Sequence, residues 1–169
     1  MPAYPKAWMN WVVVGTRVAA LGSAALATLY FLIVYKTLKI PPDVDGMLPL
    51  IQPGCTVLVN THPGRLERGD VVIYRPCRGI RLIGRVAGLP GEEVSLSAGR
   101  LFVNGRLADD YAYNTGVTTE TGPVEMAPVR VMPGHLFVLN DNAGAKAPDS
   151  RSLGQVSAAS VVGAVTLRF

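Results

Sequence analysis

The chain has 169 residues, 49% hydrophobic and 17% charged, with a formal net charge of +4. That length suits one domain of ordinary size, and so apolar a composition excludes disorder as the main state. Two cysteines exclude a disulfide-dense scaffold, and a single long apolar run excludes a multi-span membrane protein.

The basic excess is confined to the first 39 residues. Lys6, Arg17, Lys36 and Lys39 lie there without an acid, whereas from Ile40 onward twelve basic residues face twelve acidic ones. A nucleic-acid-binding domain carries its own basic face, so no nucleic acid is expected as a partner. From Val18 to Tyr35 no residue is charged. An apolar run of about 20 residues spans a hydrocarbon core of roughly 30 Å once, which makes the lipid bilayer the first expected partner. Trp8, Trp11, Tyr30 and Tyr35 lie near its ends, as interfacial aromatics do. A cleaved secretory signal is the competing reading. It fits less well, because the run exceeds a signal core of about 7–15 residues and no small-x-small site follows. Residues 1–10 are therefore read as a short tail, 11–36 as a transmembrane anchor and 37–169 as the body. Positive charge flanks both ends of the span, so it does not set the orientation.

After Ile40 the texture changes to short β-like runs broken by Gly and Pro. Strands are predicted at Thr56–Val59, Asp70–Tyr74, Arg81–Val86, Arg100–Val103, His135–Leu139 and Ser160–Leu167. Asn104-Gly105 is a two-residue hairpin signal, because both positions tolerate positive φ. Residues 105–130 read as an irregular flap or extended hairpin, rich in Thr, Gly and Pro from Tyr111 to Pro128. No sustained helical period appears after residue 40. The expected fold is mainly β, a coiled antiparallel β domain behind one N-terminal transmembrane helix.

Four segments, in order, resemble the boxes of the bacterial type I signal peptidases, which are membrane-anchored serine–lysine proteases. Gly46-Met47-Leu48-Pro49-Leu50 resembles the nucleophile box, Ser-Met-x-Pro-Thr. Arg68-Gly69-Asp70-Val71-Val72 resembles the Arg-Gly-Asp strand box. The stretch from Leu82 to Glu92 resembles the base box, Tyr-Ile-Lys-Arg-Val-x-Gly-Leu-Pro-Gly-Asp. Asn140-Asp141-Asn142 with Asp149-Ser150-Arg151 and Gly154 resembles the last box. The short body is also similar to the compact relatives that process pilins. The resemblance implies a signal-peptidase-like β domain on the extracytoplasmic side of a bacterial cytoplasmic membrane, held by a single span.

The same resemblance implies a missing mechanism. The family uses a serine oxygen with a neutral, desolvated lysine as base. Here the nucleophile position is Gly46 and the base position Gly84, so no catalytic group stands at either. Val44 stands where the family has an oxyanion-hole serine, and the lysine-orienting serine falls near Lys146 or Ala147. The chain has four lysines, and Lys146 is the one candidate for a relocated base. Cys55, His62 and His135 show no recognisable nucleophile or triad spacing. Arg85, Asp149 and Arg151 match the family's structural ion-pair network, and Met47, Pro49 and Ile83 its peptide groove. Glycine at 46 and 84 is expected to open room where side chains stood. Asp43 and Asp45 are added charges beside Gly46, read as a solvated loop; no metal or cofactor is expected. Cys55 and Cys77 are a candidate disulfide, with two free thiols as the equal alternative.

The expected function is that of a catalytically inactive signal-peptidase-like membrane protein. It would bind a pilin, leader peptide or membrane-protein partner as an assembly factor, chaperone or structural subunit. The alternative is an active leader peptidase with a relocated catalytic group.

Overall fold

The structure, a computed structural model, describes residues 6–77, 80–108, 118–119, 122–142 and 144–169. The chain divides into two units, Met1–Lys36 and Thr37–Phe169.

The first unit is helix α1 (Lys6–Val34), 29 residues long. Its Ala-, Leu- and Val-rich sequence contains no proline, so nothing interrupts the backbone ladder. Trp11–Val34 is long and apolar enough to cross a membrane, with a mean hydropathy of 1.8. At 1.5 Å per residue it covers about 36 Å. Leu21, Leu26, Leu29 and Leu32 are exposed along it. Residues 6–10, read from sequence as part of a tail, belong to this helix. Helix formation needs only backbone bonds, so it continues outward past the most apolar segment.

The second unit is built of antiparallel strands. The strands, in chain order, are β1 (Tyr35–Lys39), β2 (Thr56–Asn60), β3 (Val71–Tyr74), β4 (Leu82–Gly88), β5 (Glu93–Ser97), β6 (Arg100–Val103), β7 (Arg106–Leu107), β8 (Thr118–Thr119), β9 (Gly122–Pro123), β10 (Met126–Arg130), β11 (His135–Leu139), β12 (Val156–Ser157) and β13 (Val161–Arg168). A four-residue helix, α2 (Ser150–Leu153), precedes β12. Among the described residues, seven strands form one sheet in the order β1-β2-β13-β3-β4-β11-β12. A second sheet runs β10-β5-β6-β7, and β8 pairs with β9.

The burial patterns follow from position in the sheets. β2, β5 and β6 alternate buried and less buried residues, the period-2 signature of a half-covered strand. β3 is buried at all four residues and β4 at six of seven, because both lie inside the larger sheet with a core on each face. Val71, Ile73 and Ile83 pack with Met47, Ile51 and Val57 on one side. Val72, Tyr74, Val86 and Val138 form the cluster on the other side. A third cluster joins Ala87 and Phe137 to Val94, Leu96 and Leu101 of the smaller sheet. Where the sheets meet, a Cβ on Gly88 would stand 2.3 Å from Val94 Cγ2 and 3.2 Å from Phe137 Cβ, so only glycine fits. Asn104 and Gly105 have φ of 51° and 75°, the double positive φ of a tight hairpin turn between β6 and β7.

The predicted strands are all present; Arg100–Val103 and His135–Leu139 have the expected ends, and the others shift by at most two residues. The stretch read as irregular over 105–130 contains the short β7 and β10. Residues 109–117 and 120–121 of that stretch lie outside the described residues. Pro128 hides β10 from a reading by propensity, and β10 is an edge strand, where proline is tolerated. The missed β5 does alternate, Val94 and Leu96 inward, but it follows directly on the Gly88–Gly91 turn.

Cys55 and Cys77 are free thiols, so the candidate disulfide is not formed. Cys55 immediately precedes β2 and Cys77 follows β3, and both strands pair with β13 between them. Val57 is opposite Arg168 and Tyr74 opposite Val161. The two thiols therefore lie near opposite ends of β13. At about 3.3 Å per residue that separation is roughly 20 Å, against the ~7 Å limit for bridged Cα atoms.

Candidate functional site

Three segments converge at the end of β11: the loop carrying Gly46, the first half of β4 carrying Gly84, and the residues Asn140–Asn142. The loop from Pro41 to Gln52 is folded by its own backbone bonds, including Val44 N–H to Pro41 C=O and Ile51 N–H to Met47 C=O. It is fastened to the third segment by two more bonds. Asn142 N–H donates to Gly46 C=O at 2.9 Å, and Asn142 Nδ2 donates to Asp45 C=O at 3.3 Å.

Neither glycine leaves open room. A Cβ on Gly46 would stand 3.0 Å from Asn140 Oδ1 and 3.1 Å from Asn140 Cγ. A Cβ on Gly84 would stand 2.6 Å from Val138 Cγ1 and 3.2 Å from the Leu139 carbonyl oxygen. This corrects the expectation that losing both side chains opens space. Asn140 and Val138 take it up, and Val138 is a fully buried, β-branched side chain with little rotamer freedom. Gly46 and Gly84 thus border the same stretch of β11 and its exit, but each faces a different neighbour.

Asn140 is held firmly. Its Nδ2 donates to Ala147 C=O at 2.7 Å, and its backbone N–H donates to Asp149 Oδ2 at 3.0 Å. The bond to Ala147 fixes which end of the carboxamide is nitrogen. Asn140 Oδ1, buried beside Gly46, has no hydrogen-bond partner among the described residues.

Two ion pairs brace the corner. Arg85 reaches Asp141 in a bidentate pair, Nε to Oδ1 at 2.7 Å and Nη2 to Oδ2 at 2.5 Å, and also donates to Gly69 C=O. Arg151 Nη2 stands 2.8 Å from Asp149 Oδ2, and Asp149 also caps α2 by accepting from Arg151 N–H. Sequence reading grouped Arg85, Asp149 and Arg151. The structure gives Arg85 a carboxylate partner in Asp141, which sequence reading quoted in a motif without assigning it a role. Its place directly after β11, whose Leu139 is opposite Arg85, is visible only in the register. Tyr74 was also missed. Its phenol is buried in the Val138 cluster with no hydrogen-bond partner among the described residues. Burial pushes its pKa upward, and the negative charge of Asp149 adds to the shift.

The other singled-out residues are dispersed. Met47 is 1% exposed and packs in the core with Ile83, while Pro49 is exposed. Lys146 is exposed on the loop before α2, and His62 is exposed beyond β2. Asp43 is exposed, and Asp45 takes part in the corner through its backbone carbonyl.

An open cleft lies next to this filled corner. A cavity of about 150 Å³ is lined by Leu38, Lys39, Ile40, Pro41, Val44, Ile73, Arg81, Leu82 and Ile83. It separates two strand segments with pairing capacity to spare. β1 is the outermost strand of its sheet. β11 covers β4 from Gly88 to Arg85 and stops short of Gly84. Edge segments of this kind accept an added strand through backbone hydrogen bonds. A larger open cavity, about 560 Å³, lies elsewhere, between the β2–β3 loop and Leu136, and contains none of the converging segments.

Comparison with known proteins shows the family of the chain. Residues 9–169 match the family described as signal peptidase, peptidase S26. A Signal peptidase IB of Staphylococcus aureus strain Mu50 is 29% identical over 182 residues, covering 97% of this chain and 90% of that one. The Signal peptidase IB of strain COL is 30% identical, covering 87% of this chain and 86% of its own. A probable signal peptidase I-2 of Synechocystis is 30% identical over 74% of this chain and 59% of its own. A crystal structure of a signal peptidase I from Enterococcus faecalis V583 is 29% identical, covers 61% of this chain and 98% of its own, and has a TM-score of 0.47. With a family match that runs over nearly its whole length, the chain belongs to the signal peptidase family, peptidase S26.

Proposed function

We propose that this chain is a catalytically silent signal-peptidase relative, anchored in a membrane by α1 with its β domain on the extracytoplasmic side. It binds an extended leader or pilin-like peptide, or a membrane-protein partner carrying one, and serves assembly rather than cleavage. The observation that carries this reading is the filling of both vacated positions. No hydroxyl or amine stands at residue 46 or 84; Val138 stands where a Cβ on residue 84 would go, and a Cβ on residue 46 would press against Asn140. Removing members of a serine-protease catalytic unit leaves about 10³–10⁴-fold enhancement over water at most. The cleft between β1 and β4 supports the binding half of the proposal, because strand addition needs backbone edges and an apolar pocket and no nucleophile.

A second reading, an active peptidase with a relocated base, is favoured by the names of the relatives. Lys146 is its candidate base, and its exposure supplies none of the desolvation that a neutral lysine base needs.

The deciding experiment uses the full chain in detergent with a fluorescent leader peptide, reading cleavage and anisotropy together. The native protein is expected to bind without cleaving. The triple variant Gly46→Ser/Gly84→Lys/Val138→Ala, which restores the dyad and removes the methyl in its way, is expected to cleave. Cleavage by the native protein that disappears in Lys146→Ala would establish the second reading instead.

A further inference from the structure

We infer that the cleft between β1 and β4 selects an acidic peptide: one with an apolar residue for the cavity and an Asp or Glu two positions away. The inference rests on the peptide-binding reading above and names the chemistry of the peptide.

The cavity walls are apolar, with Leu38, Ile40, Ile73 and Ile83 among them, and its volume of about 150 Å³ takes one aliphatic side chain. Two of its lining residues are cations, Lys39 from β1 and Arg81 just before β4. They come from opposite sides of the cleft, and both are exposed. From Ile40 onward twelve basic residues, Arg81 among them, face twelve acidic ones, and the three described ion pairs engage Arg68, Arg85 and Arg151. Among the described residues neither Lys39 nor Arg81 has a carboxylate partner. The nearest acid in sequence, Asp43, is exposed on the adjoining turn and does not line the cavity.

A strand laid in the cleft points alternate side chains the same way, with a repeat of about 6.6 Å. When one side chain fills the cavity, the residue two positions away emerges on the same face, within reach of a long lysine or arginine side chain. A carboxylate there meets both cations, whereas a lysine meets like charge. Rim charges of this kind set partner preference more than total affinity.

The test places the full chain in nanodiscs of zwitterionic lipid, so that no anionic headgroup competes. Three acetylated and amidated leader-type peptides carry Asp, Asn or Lys two positions from a leucine. Two exposed pairs together are worth about a 5-fold preference for Asp over Asn at low salt, with Lys weakest. The gap is expected to close in about 0.5 M salt, where the screening length falls to a few ångströms. The Lys39→Gln/Arg81→Gln variant is expected to bind the Asn peptide as the native protein does, which reports an intact fold, and to lose the preference for Asp. Equal binding of all three peptides by the native protein, or a preference that survives in the variant, overturns the inference and leaves peptide binding standing. Failure of all three peptides to bind overturns the peptide-binding reading and this inference with it.

Discussion

The Gly46–Gly84 corner and the β1–β4 cleft are neighbours in the fold and opposites in packing. In the corner, two glycines are met by Asn140 and Val138 at distances that leave no room for a Cβ without movement. Bidentate and capping contacts from Arg85–Asp141 and Arg151–Asp149 lock the surrounding segments. In the cleft, a cavity stays open between an outermost strand and the uncovered start of β4. The two glycine positions are closely packed, and the cleft beside them stays open. A packed interior cannot keep an empty side-chain slot without cost, whereas a solvent-filled surface cleft carries no such penalty.

The largest expected effect on this contrast comes from the brace of the corner. Arg85→Ala leaves Asp141 buried without its cation and is expected to cost about 3–5 kcal/mol. Denaturant unfolding of the full chain measures it, and a cost under 1 kcal/mol would show that the corner does not depend on this pair. The next concerns the filled slot itself. Gly84→Ala is expected to destabilise by about 1–3 kcal/mol through overpacking against Val138. In a Val138→Ala background the same change should be close to neutral, and the double-mutant cycle reads that coupling. An uncoupled pair would mean that Val138 does not fill the space beside Gly84.

Asn140→Ala removes the bond to Ala147 C=O and is expected to cost about 1 kcal/mol. Since its Oδ1 is an orphan, no partner loses a hydrogen bond on that side. The smallest effect at neutral pH is that of Tyr74→Phe, which deletes a buried hydroxyl with no partner among the described residues. The pH dependence separates the two proteins. The unfolded phenol ionises at its ordinary value of 10, while the folded one, raised by burial and by Asp149, keeps its proton. The unfolded state then binds fewer protons, so native stability falls as pH rises above 10, by up to about 1.4 kcal/mol per pH unit. Below pH 10 both states are protonated and the term vanishes. Tyr74→Phe should lack this alkaline loss; equal alkaline slopes in the two proteins would contradict the burial of the phenol.

Much of this molecule was legible in its sequence because the relevant signals are local. The uncharged run from Val18 to Tyr35 announces the long helix, since helical backbone bonds join residues four apart and apolarity needs no partner. Short β-like runs bounded by Gly and Pro announce β2, β3, β6 and β11, and Asn104-Gly105 marks a tight turn. Glycine at 46 and 84 is a plain fact of the sequence, and four boxes in order carry the family. What only the tertiary structure decided involves residues distant in the chain. Val138 filling the place beside Gly84, Asp141 pairing with Arg85 across 56 positions, and Cys55 and Cys77 lying near opposite ends of β13 are all consequences of strand register. Register is set by how two buried faces fit together. No window of sequence contains both faces, so it emerges only when the sheet is assembled.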